Sequence, residues 1–305
     1  MLSLTLVILA AGTGSRFGGP KQWAAVGPEG ESLLEYTIAD AMAAGFERVL
    51  FVIRREDKPT FRERVLKRLL HHVPIDYTFQ EGPDLAERTD ETDQAFMPGG
   101  SAAALLCVRP LLEQQAFGVV RADTWYGRAS LERLAEYLKR VHVYWPPHFS
   151  LLSFPVEAAS GARPLAPSVR CELDDEGDLK RLDVEEDTEG PVQLSAHAYG
   201  FSPAIFDFLE EQLRELTEAQ EEGQVRDEFT LASALSKMIL RRQARIELLS
   251  VSQPALSIIR PEDVEPMQAH LQACLARGEY GAPLWPARDP AAITALAARR
   301  ASAGS

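Results

Sequence analysis

Residues 4–9, Leu-Thr-Leu-Val-Ile-Leu, form a short apolar run that passes directly into a glycine-rich stretch, Ala-Ala-Gly-Thr-Gly-Ser-Arg-Phe-Gly-Gly-Pro-Lys, at 10–21. The run is too short for a helix, and Thr5, Val7 and Ile8 are β-branched. Consecutive apolar positions of this kind predict a strand buried on both faces, which requires helices above and below it. That single feature points to an α/β architecture.

The segments that follow keep the alternation. Residues 32–45 read as a helix with Ser32 and Glu35 at capping-box spacing and Gly45 as its stop. Residues 48–53 read as a second buried strand, and Pro59 opens a helix with Phe61, Val65, Leu66 and Leu69 on one stripe. Residues 75–79 and 117–122 predict two further strands, the last ending on Asp123, and 99–108 a loop running into a helix. From about residue 149 the segments become short strands, with a hairpin turn at Asp174-Asp175-Glu176-Gly177-Asp178. A strand near 192–201, helices near 203–217 and 228–242, a strand at 245–251 and a helix near 263–277 follow. The expectation is a Rossmann-like mixed, mostly parallel sheet flanked by helices. We expect one domain over 1–285, with a nucleotide-binding half at 1–148, a second half at 149–285, and a tail at 286–305.

A net charge of −13 disfavours broad nucleic-acid binding, although a local basic site remains compatible with it. Cys107, Cys171 and Cys274 are far apart and show neither metal-ligand spacing nor a disulfide framework. The apolar start has no basic segment before it and is too short to span a bilayer. These features predict a cytoplasmic protein with no membrane association, and they leave oligomeric state open.

Two cations inside the glycine loop carry the chemical signal. A dinucleotide fingerprint fails by one residue between Gly14 and Gly18. A P-loop fails because Pro20 separates Gly19 from Lys21 and Gln22 replaces the metal-binding hydroxyl. What fits is a loop whose backbone N–H groups wrap a triphosphate while Arg16 and Lys21 neutralise charge on the transferring group. The plain alternative is a crossover loop with two solvated cations. Asp123, at the carboxyl end of a predicted parallel strand, suits an oxygen-ligated metal; the alternative is a helix cap, but Tyr126-Gly127 intervenes before the next helix.

The loop at 9–22 resembles the signature of nucleotidyltransferases that act on sugar 1-phosphates, the NDP-sugar pyrophosphorylase-like family. The resemblance continues, in order, through 26–56, 98–106, 119–127, 171–187, 195–211, 228–235 and 278–285, nearly the whole chain. It implies the nucleotide-diphospho-sugar transferase type of fold and transfer of NMP from an NTP to a sugar 1-phosphate or similar phosphorylated acceptor, with Mg²⁺. It implies that Ala11, Gly12 and Gly14 approach the nucleotide and Arg16 holds the β- and γ-phosphates. Lys21 would reach the α-phosphate and the incoming phosphate. Gly100, Ser101 and Ala102 would lie by the base, Asp123 would bind Mg²⁺, and Glu185 would contact the sugar.

The sequence departs from the family pattern at several points. Arg121 and Thr124 replace an asparagine and an aspartate of an Asn-Ala-Asp-Asp motif, Gly99 replaces a tryptophan, and His197 stands where relatives carry asparagine. His197 is then either a metal or phosphate contact or a structural residue, and Glu185 either a sugar contact or part of a solvated acidic run. These departures motivate a second reading, a binding protein that has lost catalysis.

Overall fold

The computed structural model describes residues 4–12, 14, 17–19, 21–80, 99–112, 115–141, 145–159, 166, 168–182, 192–221 and 228–286. Its centre is one mixed sheet in the order β10-β6-β9-β4-β1-β2-β3. The strands are β1 (Thr5–Leu9), β2 (Arg48–Ile53), β3 (Ile75–Phe79), β4 (Phe117–Arg121), β6 (His148–Pro155), β9 (Val192–Phe201) and β10 (Arg245–Ser250). A hairpin of β7 (Arg170–Leu173) and β8 (Leu179–Leu182) extends from β9. Its turn closes through the Asp174 side chain, which accepts from the N–H groups of Glu176 and Asp178, with Gly177 at φ 84.

β1 lies parallel between β2 and β4, as its continuous apolar run requires. Leu6 and Ile8 enter the core on one face, with helices Leu33–Ala44 and Arg128–Arg140. Val7 enters the other, with helices Ser101–Leu106, Ile205–Glu221 and Leu231–Leu240. β2 divides the same way, Val49, Phe51 and Ile53 against Leu50 and Val52. Each such side chain contributes on the order of 1.5–3 kcal/mol of burial. Helix Leu33–Ala44 starts with Glu35 accepting the Ser32 N–H at 3.1 Å and stops on Gly45 at φ 96.

β9 runs antiparallel to both its neighbours, β4 and β6. It thus joins the parallel group β4-β1-β2-β3 to the parallel pair β6-β10. A smaller third layer forms where β5 (Thr124–Trp125) pairs with β11 (Leu256–Ser257) and packs against helix Val264–Ala276.

Candidate nucleotide site

β1 and β4 are in register with Leu9 opposite Arg121, so the glycine loop and Asp123 leave the sheet side by side at its carboxyl edge. The Ala122 N–H donates to the Leu9 carbonyl at 3.1 Å and the Ala10 N–H to the Val52 carbonyl at 2.8 Å, which fixes both strand ends. Gln22, buried, returns its amide to the Ala10 carbonyl at 3.1 Å. Trp23, next to it, packs against Phe61. Lys21 is therefore aimed by a turn with two buried anchors.

The loop folds on the Gly14 carbonyl, which accepts the N–H groups of Phe17 and Gly18 at 2.8 and 3.1 Å. Gly14 sits at φ 63, and a Cβ there would lie 1.9 Å from the Gly19 oxygen. Gly12 is exposed and a Cβ on it meets nothing within 4 Å. Ala11 is half-buried. Gly14 thus shapes the loop, while Gly12 leaves backbone open on its surface.

Lys21 and Asp123 meet at 2.5 Å, Nζ to Oδ2. Arg121 adds a two-pronged grip, Nε to Oδ1 at 3.1 Å and Nη2 to Oδ2 at 2.9 Å. The Thr124 hydroxyl donates to Oδ1 at 3.1 Å and pairs with Ser257 Oγ at 2.5 Å. Burial opposes charge on Asp123, but the Arg121 and Lys21 charges outweigh it and hold the carboxyl below the usual carboxylate range. The Arg121 N–H itself donates to the Tyr126 hydroxyl at 3.0 Å. The helix begins only at Arg128, so Asp123 is not its cap.

The pairing of β9 with β6 shifts from Leu151–Tyr199 to Ser153–Ser195, so four steps on β9 face two on β6. His197 lies in that bulge at φ 53 and its Nδ1 is 3.2 Å from the Tyr199 hydroxyl. A bulge of this kind re-aims a side chain, and bulges are frequent beside active sites. Tyr199 pairs with Val119, two residues before Arg121 on β4, which puts this stretch of β9 beside the cation cluster.

Gly100 and Ser101 are engaged structurally. Gly100 sits at φ 119 with no room for a Cβ against the Phe229 backbone, and Ser101 Oγ accepts the Leu231 N–H at 2.9 Å. Gln80, at the end of β3, donates to the Gly100 carbonyl at 3.4 Å. Arg16 and Glu185 lie outside the described residues.

The carboxylate that the resemblance assigns to Mg²⁺ has little left to offer one. A carboxylate presents about four acceptor positions, and Asp123 fills its own with Arg121 twice, Lys21 and Thr124. Among the described residues, no group of three or more His, Cys, Asp or Glu is placed to hold a metal ion. As arranged, the cluster does not fit a metal on Asp123.

The MobA-like NTP transferase domain matches residues 6–188 of this sequence. The chain belongs to that family. As a member of the MobA-like family it is a nucleotidyltransferase enzyme, so the reading as a binding protein without catalysis is set aside. No curated protein matches the sequence. Solved structures share its fold. The inositol-1-phosphate CTP transferase from T. maritima is 14% identical with TM-score 0.60, over 89% of this chain and 97% of that one. A UDP-glucose pyrophosphorylase complexed with UDP-glucose is 18% identical with TM-score 0.60, over 89% and 99%.

Proposed function

We propose that this MobA-like transferase moves the NMP part of an NTP onto a phosphorylated acceptor such as a sugar 1-phosphate and releases pyrophosphate. The observation that carries the proposal is the Lys21–Asp123–Arg121 cluster at the carboxyl ends of β1 and β4. Open α/β sheets bind ligands at that edge. Two structures of like fold are named for a CTP transferase acting on inositol 1-phosphate and for an enzyme holding UDP-glucose.

An acceptor phosphate oxygen attacks the α-phosphorus in line with the departing pyrophosphate. One P–O bond forms as the other breaks, and the chain forms no covalent intermediate. Its task is positioning and neutralisation of charge. Exposed Gly12 backbone meets the nucleotide. Lys21 moves from Asp123 to the transferring phosphate, and Arg16 takes the β- and γ-phosphates. Gly100, Ser101 and Ala102 border the base, while Glu185 and His197 are the candidate contacts for the acceptor. The resemblance implies Mg²⁺, which travels with triphosphates in solution.

No helix among the described residues is long and apolar enough to cross a membrane. Cys107, Cys171 and Cys274 form no disulfide with one another, which supports a cytoplasmic setting. The test is pyrophosphate release over a panel of NTPs and sugar 1-phosphates, with other phosphorylated alcohols included, in Mg²⁺ or Mn²⁺. Turnover with at least one pair is expected, and its absence from every pair would overturn the acceptor assignment.

A further inference from the structure

Asp123 is nearly buried, whereas Arg121 keeps a third of its side chain exposed and Lys21 about a seventh. The carboxylate is therefore the floor of the cluster and the two cations form its rim. One negative charge against two positive ones leaves the cluster with net charge +1. Such a site attracts an anion and repels a divalent cation. The Arg121 fork is set by β4 and by the Tyr126 hydroxyl at its backbone, so its grip on both carboxylate oxygens does not depend on a flexible loop. Thr124, where the resemblance has a second acidic residue, adds a hydroxyl donor to the same carboxylate and is itself held by Ser257.

We propose that Asp123 is a positioning carboxylate and that Arg121, with Lys21, forms a preformed subsite for a phosphate group in place of a metal bound by the protein. The identity of that phosphate, the one being transferred, rests on the function proposed above; the subsite itself does not. Lys21, held at a single oxygen, is the cation free to follow the reacting group. Arg121, held at two, stays in place.

Two titrations test this without turnover. The first is Mn²⁺ binding to the protein alone, followed by electron paramagnetic resonance. The wild-type chain should show no site at Asp123 tighter than about 1 mM, the weak end of carboxylate cation sites. Arg121→Asn should gain a site at least about tenfold tighter, because the fork no longer fills both oxygens, and the double variant Arg121→Asn/Asp123→Asn should lose it again. The second is calorimetry with inorganic pyrophosphate in excess chelator. Wild type should bind it, and Arg121→Asn should weaken binding at least about tenfold, with loss of a charge-assisted pair of hydrogen bonds.

Tight wild-type Mn²⁺ binding that Asp123→Asn abolishes would overturn the proposal. So would pyrophosphate binding unchanged in Arg121→Asn. If circular dichroism shows that Arg121→Asn is unfolded, Arg121→Lys, which keeps the charge but not the fork, replaces it in both titrations, and the wild-type Mn²⁺ arm decides by itself. Failure of every NTP and acceptor pair to react would remove the acceptor assignment and leave these outcomes standing.

Discussion

The Tyr280 hydroxyl donates a 2.7 Å hydrogen bond to Asp40, a carboxylate buried in helix Leu33–Ala44. The same hydroxyl accepts from Trp125 Nε1 at 2.8 Å, and Arg128 stands 3.5 Å from the other Asp40 oxygen. The residues beyond helix Val264–Ala276 are thereby tied to the first helix and to β5. Burial pushes the Asp40 carboxyl up to about 6 from its ordinary 3.8, against the opposing pull of Tyr280 and Arg128.

A pH dependence follows with a definite sign. Between the two values the folded chain holds a proton that the unfolded chain has released. This group's stabilisation is complete below the lower value and is lost as pH rises through about 6. The loss is on the order of 3 kcal/mol. Asp40→Asn keeps an acceptor for Tyr280 and removes the titration. Thermal unfolding of both proteins at pH 4 and 7.5 should show the variant gaining on wild type at the higher pH. An equal difference at both pH values would show that Asp40 does not titrate in this range.

Gly14 should lose its loop conformation on substitution by alanine, whereas Gly12 should not. Gly14→Ala places a Cβ against the Gly19 oxygen at a positive φ, so the loop must refold, and nucleotide binding should fall by tenfold or more, about 1.4 kcal/mol. Gly12→Ala meets no protein atom and should leave the melting temperature unchanged. Weaker nucleotide binding in Gly12→Ala, measured by calorimetry, would mark that backbone as a contact; unchanged binding would remove Gly12 from the site.

Lys21→Ala should lower kcat about a hundredfold, the typical cost of one charge aimed at the transition state, with a much smaller effect on nucleotide affinity. Asp123 keeps Arg121 as partner, so the variant should fold. Equal losses in kcat and affinity would make Lys21 a ground-state contact.

Gly100→Ala should destabilise the chain by about 1–3 kcal/mol. Its φ of 119 suits glycine, and the new methyl would meet the Phe229 carbonyl at 2.4 Å. Urea unfolding measures the loss; a variant as stable as wild type would show that the 99–101 and 229–231 segments separate at little cost.

The strand–helix alternation was legible because buried parallel strands and amphipathic helices each write a local period into the sequence, as in residues 4–9 and 32–45. β5 and β11 were not legible. Two-residue strands carry no period, and Thr124 and Ser257 come together only through tertiary pairing. The cluster was half legible: Lys21 and Asp123 could each be singled out from their places after β1 and β4. Arg121 registered as a departure, since its partner is defined by where its fork points. The left-handed backbone at His197 left no mark either, because histidine, although it enters that region more often than most residues, is found elsewhere in the large majority of cases. Its signal is a bulge, which is a relation between two strands.

β9 lies between β4 and β6, yet it follows both in the chain. During synthesis on the ribosome, β1 to β4 can pair as they emerge, but the edge of β4 and the edge of β6 have nothing to close them until Phe201 has been made. A polypeptide halted before Val192 exposes both as rows of free backbone donors and acceptors, the kind of edge that recruits strands from other molecules. Truncated translation products of this protein are therefore expected in inclusion bodies or bound to chaperones.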